Sequence, residues 1–95
     1  MRIKIDPLDK LFSQYMRLLA DGCCEYCGKD VGYDRLQVSH FIGRRKRSVR
    51  FDPDNCCAVC FSCHNYFHQF PYYHSKFWEK RLGSDKLEEL IRRGN

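Results

Sequence analysis

No stretch of the 95-residue sequence approaches the ~20 consecutive apolar residues that a membrane helix requires, and no leader-like segment stands ahead of its cysteines. A membrane protein is therefore not expected; an intracellular, cytoplasmic and reducing setting is. Repeats, low-complexity tracts and Gly/Ser-rich linkers are also missing, which excludes a repeat array and a tethered pair of domains. Even pairing of thiols is missing. The cysteines number seven (Cys23, Cys24, Cys27, Cys56, Cys57, Cys60 and Cys63), and an odd count fits a fully disulfide-bonded framework poorly. Acid is missing locally: from Arg35 to Phe51 there is no Asp or Glu, yet there are six cations, Arg35, Arg44, Arg45, Lys46, Arg47 and Arg50. A clustered cationic stretch without acids points toward phosphate, with a self-repelling solvated loop as the plainer alternative.

A chain this short buries modest apolar area and gains from a staple. One domain over residues 1–95 is expected, with an N-terminal helix in 1–22, a braced core in 23–70 and helices in 71–95. Asp6 and Pro7 suit a helix start, and Leu8, Leu11, Phe12, Tyr15, Leu18 and Leu19 recur at helical spacing up to a stop at Gly22. That apolar face is expected to cover one side of the core. Residues 35–42 alternate as a strand does, with Leu36, Val38 and His40 on one face and Gln37, Ser39 and Phe41 on the other. "GRRKRS" then reads as a loop, "VRF" as a short return strand and "DPDN" as a turn. A helix is expected from Cys60 or Phe61, and another after Pro71 with Tyr73, Phe77 and Trp78 toward its buried side. Gly83 ends that helix, and Ser84 is suited to cap a last one.

Cys24-x-x-Cys27-Gly28 and Cys60-x-x-Cys63 are two tight turns that each aim a pair of thiolates at one point, the donor set of a closed tetrahedral zinc site. The alternative is four small buried hydrophobes. Cys23 offers a second pairing with Cys27, while Cys56 and Cys57 read as packing residues. The 32 residues between the two turns exceed a zinc-ribbon gap, so a hairpin carrying the basic loop is expected between them. Four thiolates fill the coordination of zinc, which leaves His64 and His68 free. At i and i+4 they share a helix face and suit a second, reactive ion, with a plain surface pair as the alternative. His74 has no motif around it and reads as an ordinary surface histidine. Tyr72, Tyr73, Phe77 and Trp78 suit either core packing or stacking on bases.

The order His40 in "VSHF", Asn55 in "RFDPDN" and His64 in "CFSCH", with gaps of 15 and 9 residues, resembles the HNH endonucleases. "RFDPDNCCAVCFSC" and "FWEKRLGSDKLEELI" further resemble phage recombination nucleases of the NinG/Rap type, the likeness covering residues 23–92. This implies an α+β fold: a small, zinc-stapled ββα-metal domain, treble-clef-like, with an N-terminal helix and C-terminal helices, encoded by a bacterium or a phage. It implies His40 as general base and Asn55 either positioning that base or helping to bind the ion. It further implies His64 as a metal ligand, with His68 where the colicin-like branch has a second one. Ser39 departs from the pattern, since many members carry Asp or His there as a further ligand; His64 departs from the NinG-like branch, where Asn is common.

The expected function is hydrolysis of DNA by a one-metal mechanism, structure-selective or weakly sequence-selective. The expected cofactors are a structural Zn²⁺ and a catalytic Mn²⁺, Ni²⁺, Mg²⁺ or Zn²⁺. Arg44, Arg45, Lys46, Arg47 and Arg50 are expected to bind the DNA backbone, in a monomer or a homodimer. The competing readings are a non-catalytic zinc-stapled DNA-binding module and a zinc module for protein partners. Binding alone requires neither His40 nor Asn55, and a protein adaptor does not require the basic loop.

Overall fold

The computed structural model of the chain describes residues 6–95, so the start of the expected 1–22 segment lies outside the described residues. Helix α1 covers Pro7–Leu19; Asp6 caps it by accepting the Leu8 N–H at 2.9 Å, and Pro7 fills the first turn, where an N–H is not needed. The chain leaves the helix through Ala20, and Asp21 and Gly22 turn it back with φ of 53° and 80°. The buried face of α1 is not the expected one. Met16 is buried and Phe12 meets Phe51 edge-on at 5.6 Å, but Leu8, Leu11, Tyr15, Leu18 and Leu19 remain 50–68% exposed. The strip turned inward is mixed, because Asp9 and Ser13 on it line a cleft together with Phe12.

Strand β1 (Leu36–His40) pairs antiparallel with strand β2 (Cys56–Cys60), so that Leu36 faces Cys60 and His40 faces Cys56. Helix α2 (Phe61–Gln69) begins directly after β2 and completes a ββα unit. The return strand is thus "CCAVC" and not "VRF". All five residues of β2 are buried, as a strand covered on both faces requires, and Cys56 and Cys57 pack in the core as expected. Burial pushes the Cys56 thiol up to about 12, helped by the charge of Asp52, so it stays a neutral, inert thiol. β1 is shorter than expected, since Arg35 belongs to a single 3₁₀ turn and Phe41 lies past its end.

Pro71 opens helix α3 (Pro71–Leu82), and Gly83 (φ 80°) separates it from helix α4 (Ser84–Gly94). Ser84 is the first residue of α4 and makes no side-chain cap; Gly83 holds the cap position. Trp78 is the centre of the core. It lies parallel to Phe41 at 5.5 Å, takes Phe77 edge-on at 5.3 Å, and satisfies its indole N–H on the Asp54 carbonyl at 2.9 Å. Tyr72 and Tyr73 stay exposed, so only the Phe77–Trp78 part of that aromatic run is core.

Candidate active site and metal centre

The sulfurs of Cys24, Cys27, Cys60 and Cys63 all lie within 4.8 Å of one another, with Cys27 Sγ and Cys60 Sγ 4.0 Å apart. Tetrahedral Zn–S bonds of about 2.3 Å set neighbouring sulfurs about 3.8 Å apart, so this spacing fits zinc, whereas a disulfide closes to about 2.05 Å. Backbone geometry supplies the first pair: Gly28 (φ 78°) donates its N–H to the Cys24 carbonyl at 2.8 Å and closes the turn. The turn docks on β2, where the Glu25 N–H meets the Ala58 carbonyl at 2.9 Å and the Ala58 N–H meets the Glu25 carboxylate at 2.5 Å. The second pair straddles the β2–α2 junction. Burial opposes ionisation of Cys24, but N–H groups of Cys27, Cys60 and Tyr26 and the neighbouring Cys27 thiol bring it down to about 7. Burial and the crowding of the Cys60, Cys27 and Cys24 sulfurs push Cys63 up. Clustered sulfurs resist a second charge, a penalty that a divalent cation at their centre removes.

Asn55 governs the loop between the strands. Its side chain is fully buried; Oδ1 accepts the Ile42 N–H at 2.7 Å, while Nδ2 donates to the Ile42 carbonyl at 2.9 Å and the Val49 carbonyl at 3.1 Å. Both ends of the loop are thereby held by one amide. These bonds occupy both ends of the Asn55 amide with loop backbone at Ile42 and Val49. The next carbonyl, that of Arg50, lies 3.0 Å from His40 Nε2. A carbonyl only accepts, so Nε2 carries the proton and Nδ1 keeps a lone pair able to take one. Burial holds the His40 pKa below its usual value; the Arg50 carbonyl opposes this, and the Arg44 charge adds to it.

His64 and His68 stand on one face of α2 with ring centroids 5.0 Å apart. His64 Nδ1 lies 2.6 Å from the side-chain oxygen of Gln37 on β1. With that oxygen accepting, Nδ1 holds the proton and Nε2 is left to ligate. Burial, then the neighbouring His68 and His40, hold the His64 pKa below its usual value. The donor set suits an imidazole-binding divalent ion. Among the described residues, however, no third ligating side chain joins this pair at the spacing of the cysteine cluster, and Ser39 is buried in the strand. His74 is not a surface residue. Its ring stacks on Phe67 at 4.6 Å, and its Nε2 is the one buried side-chain nitrogen or oxygen without a hydrogen bond among the described residues.

His40 opens on a cleft of about 580 Å³ between α1 and β1, lined also by Gln37, Arg44, Arg50, Asp9, Lys10, Ser13 and Arg17. The α1 contribution was invisible to sequence reasoning. Asp9 accepts Arg44 at 2.6 Å and Arg50 through both of its oxygens, one at 3.0 Å from Arg50 Nε. Arg50 first, and then Arg44, hold the Asp9 carboxyl below its ordinary pKa against the opposing effect of burial. The five loop cations thus divide. Arg44 and Arg50 are gathered at the cleft, whereas Arg45, Lys46 and Arg47 are exposed and have no acidic partner among the described residues.

A two-strand hairpin and a helix, braced by clustered thiols and carrying histidines at the strand end and on the helix, define the ββα-metal class of small domain. Residues 24–70 match the family model described as HNH endonuclease, so that the braced core is an HNH domain. The match carries the family and no narrower subgroup. Comparison with curated proteins and with solved structures gives no match.

Proposed function

We propose that the chain is a metal-dependent DNA endonuclease in which His40 is the general base. The observation that carries this is the His40–Arg50 carbonyl bond, which leaves Nδ1 bare in a cleft that also holds two arginines. His40 takes a proton from water as the water oxygen bonds to phosphorus and the bond to the 3′ oxygen breaks. Arg44 and Arg50 orient the phosphate by charge-assisted hydrogen bonds. Asn55 positions the base through the loop. His64 and His68 would hold the divalent ion, Mn²⁺, Ni²⁺, Mg²⁺ or Zn²⁺, which when bound neutralises charge on the phosphate and the departing oxygen. Cys24, Cys27, Cys60 and Cys63 would hold a structural Zn²⁺. Arg45, Lys46 and Arg47 follow the DNA backbone without reading bases, so selectivity is for DNA structure or weak sequence. The likeness of "RFDPDN" and the C-terminal run to phage recombination nucleases supports a phage-type role.

The direct experiment is incubation of supercoiled plasmid with the zinc-loaded chain and Mn²⁺, Ni²⁺ or Mg²⁺. Nicking supports the proposal. A gel shift with no nicking in any metal would favour the non-catalytic module, a reading to which the two-imidazole site with Ser39 lends some weight.

Two further results are expected. The base works when neutral, and its pKa is depressed below about 6.5, so nicking should rise with pH in the acid range and level off by about pH 7. A rate that keeps climbing tenfold per unit above pH 7 would place the proton acceptor elsewhere. Asp9→Asn releases Arg44 and Arg50 from their carboxylate. DNA binding should tighten several-fold, and its log–log salt dependence should steepen by up to about 1.8, two phosphates' worth. Unchanged affinity in a fluorescence-anisotropy titration would show that these arginines do not meet phosphate.

A further inference from the structure

The outward face of α1 carries Leu8, Leu11, Tyr15 and Leu18, spaced three, four and three residues apart, with Leu19 beside them. Alternating steps of three and four are the a/d seam of two packed helices. In an isolated chain these side chains face water, and all five are at least 50% exposed. At about 200 Å² for a fully exposed large residue, they leave roughly 600 Å² of apolar surface uncovered, the upper end of what a soluble monomer shows.

We infer that this stripe is the contact between two copies of the chain, paired about a two-fold axis through α1. A two-fold contact needs one patch that fits itself. In an antiparallel pair centred near Ser13, Leu8 of one copy faces Leu18 of the partner subunit, and Leu11 faces Tyr15 of the partner subunit. The positions flanking the seam at its centre are Phe12, Gln14 and Leu19, so no like charges meet there. Two such stripes bury at most about 1,200 Å², which reaches the lower bound of a specific, stable interface and places the pairing at the small end of that range. A second copy also accounts for how α1 divides its faces: Asp9, Ser13 and Arg17 turn to the cleft while the leucines turn away, so pairing leaves both clefts open. The inference does not rest on the nuclease reading.

Sedimentation equilibrium of the zinc-loaded full chain from about 1 to about 200 µM tests it. Wild type should pass from monomer to dimer within that range. Leu11→Glu and Leu18→Glu should each weaken association by at least about tenfold while keeping the unfolding midpoint and zinc content, since both positions are exposed. Tyr72→Glu, an equally exposed substitution on α3, should leave association unchanged. A wild type that stays monomeric throughout overturns the inference and assigns the stripe to another partner. So does dimerisation that resists both leucine substitutions, or that Tyr72→Glu abolishes.

Discussion

His40→Ala is expected to cut plasmid nicking by about 10²–10⁴-fold, the usual contribution of a positioned general base, which corresponds to about 3–5 kcal/mol of barrier. The fold should survive the change. What the scaffold loses is one hydrogen bond from Nε2 to the Arg50 carbonyl, worth about 0.5–1.5 kcal/mol, together with part of a half-buried ring. Asn55 keeps its bonds to Ile42 and Val49, so the loop stays closed without His40. The informative readout is therefore a pair of measurements on one preparation, nicking rate and unfolding midpoint. Loss of nicking with a near-normal midpoint assigns the proton transfer to His40, and undiminished nicking removes it from the mechanism.

Stripping zinc, or replacing Cys60 with Ser, is expected to unfold the domain outright. Structural zinc contributes about 10–16 kcal/mol in small modules, which meets or exceeds the 5–15 kcal/mol by which ordinary domains are stable. The four sulfurs tie the turn at residues 24–27 to the β2–α2 junction, where the Glu25–Ala58 hydrogen bonds and the packing of Tyr26 on Tyr66 and Phe67 are the other links. Cys60 is the sharper choice because it ends β2 and caps α2, the helix that carries His64 and His68. Cys56→Ser is the matched comparison: Cys56 is also buried, more deeply than Cys60, but lies outside the cluster, so zinc content should be unaffected and any loss of stability should be modest. Circular dichroism melts with metal analysis decide between the outcomes. A chelated protein that melts at the same temperature as the metal-loaded one would mean that the thiols are merely packed together.

Much of the braced core was legible because its signals are local. Two C-x-x-C turns, a helix start beside the second, and a hairpin-length insertion between them are each read within a few residues, and the clustering of the four sulfurs follows. The helices after Pro71 and Gly83 were legible for the same reason. Apart from the missing Ser84 cap and the shorter β1, which are local, the misreadings concern which partner a residue meets across the fold. Periodicity showed that α1 has an apolar face but not that the hairpin would take the mixed face beside it. "VRF" looks extended, yet Val49 is held under the Asn55 amide as a plug, and the return strand is the unpatterned "CCAVC", buried on both faces. Asp9 lies 41 residues before Arg50, so no window of sequence joins them. His74 looked ordinary because no motif surrounds it, yet Phe67 of α2 stacks on its ring and Trp78, one helical turn on, meets it edge-on.

The single amide of Asn55 has an evolutionary consequence. Because it fastens the chain at Ile42 and again at Val49, the exposed Arg45, Lys46 and Arg47 between them form a cassette whose composition can drift, or be rewritten by an engineer, without touching Arg44 or moving the His40 imidazole. Under the proposed mechanism, contact with the DNA backbone and proton transfer then fall on different residues. Substitutions at Arg45, Lys46 and Arg47 offer a route to altered target choice that leaves His40, Arg44 and Arg50 in place.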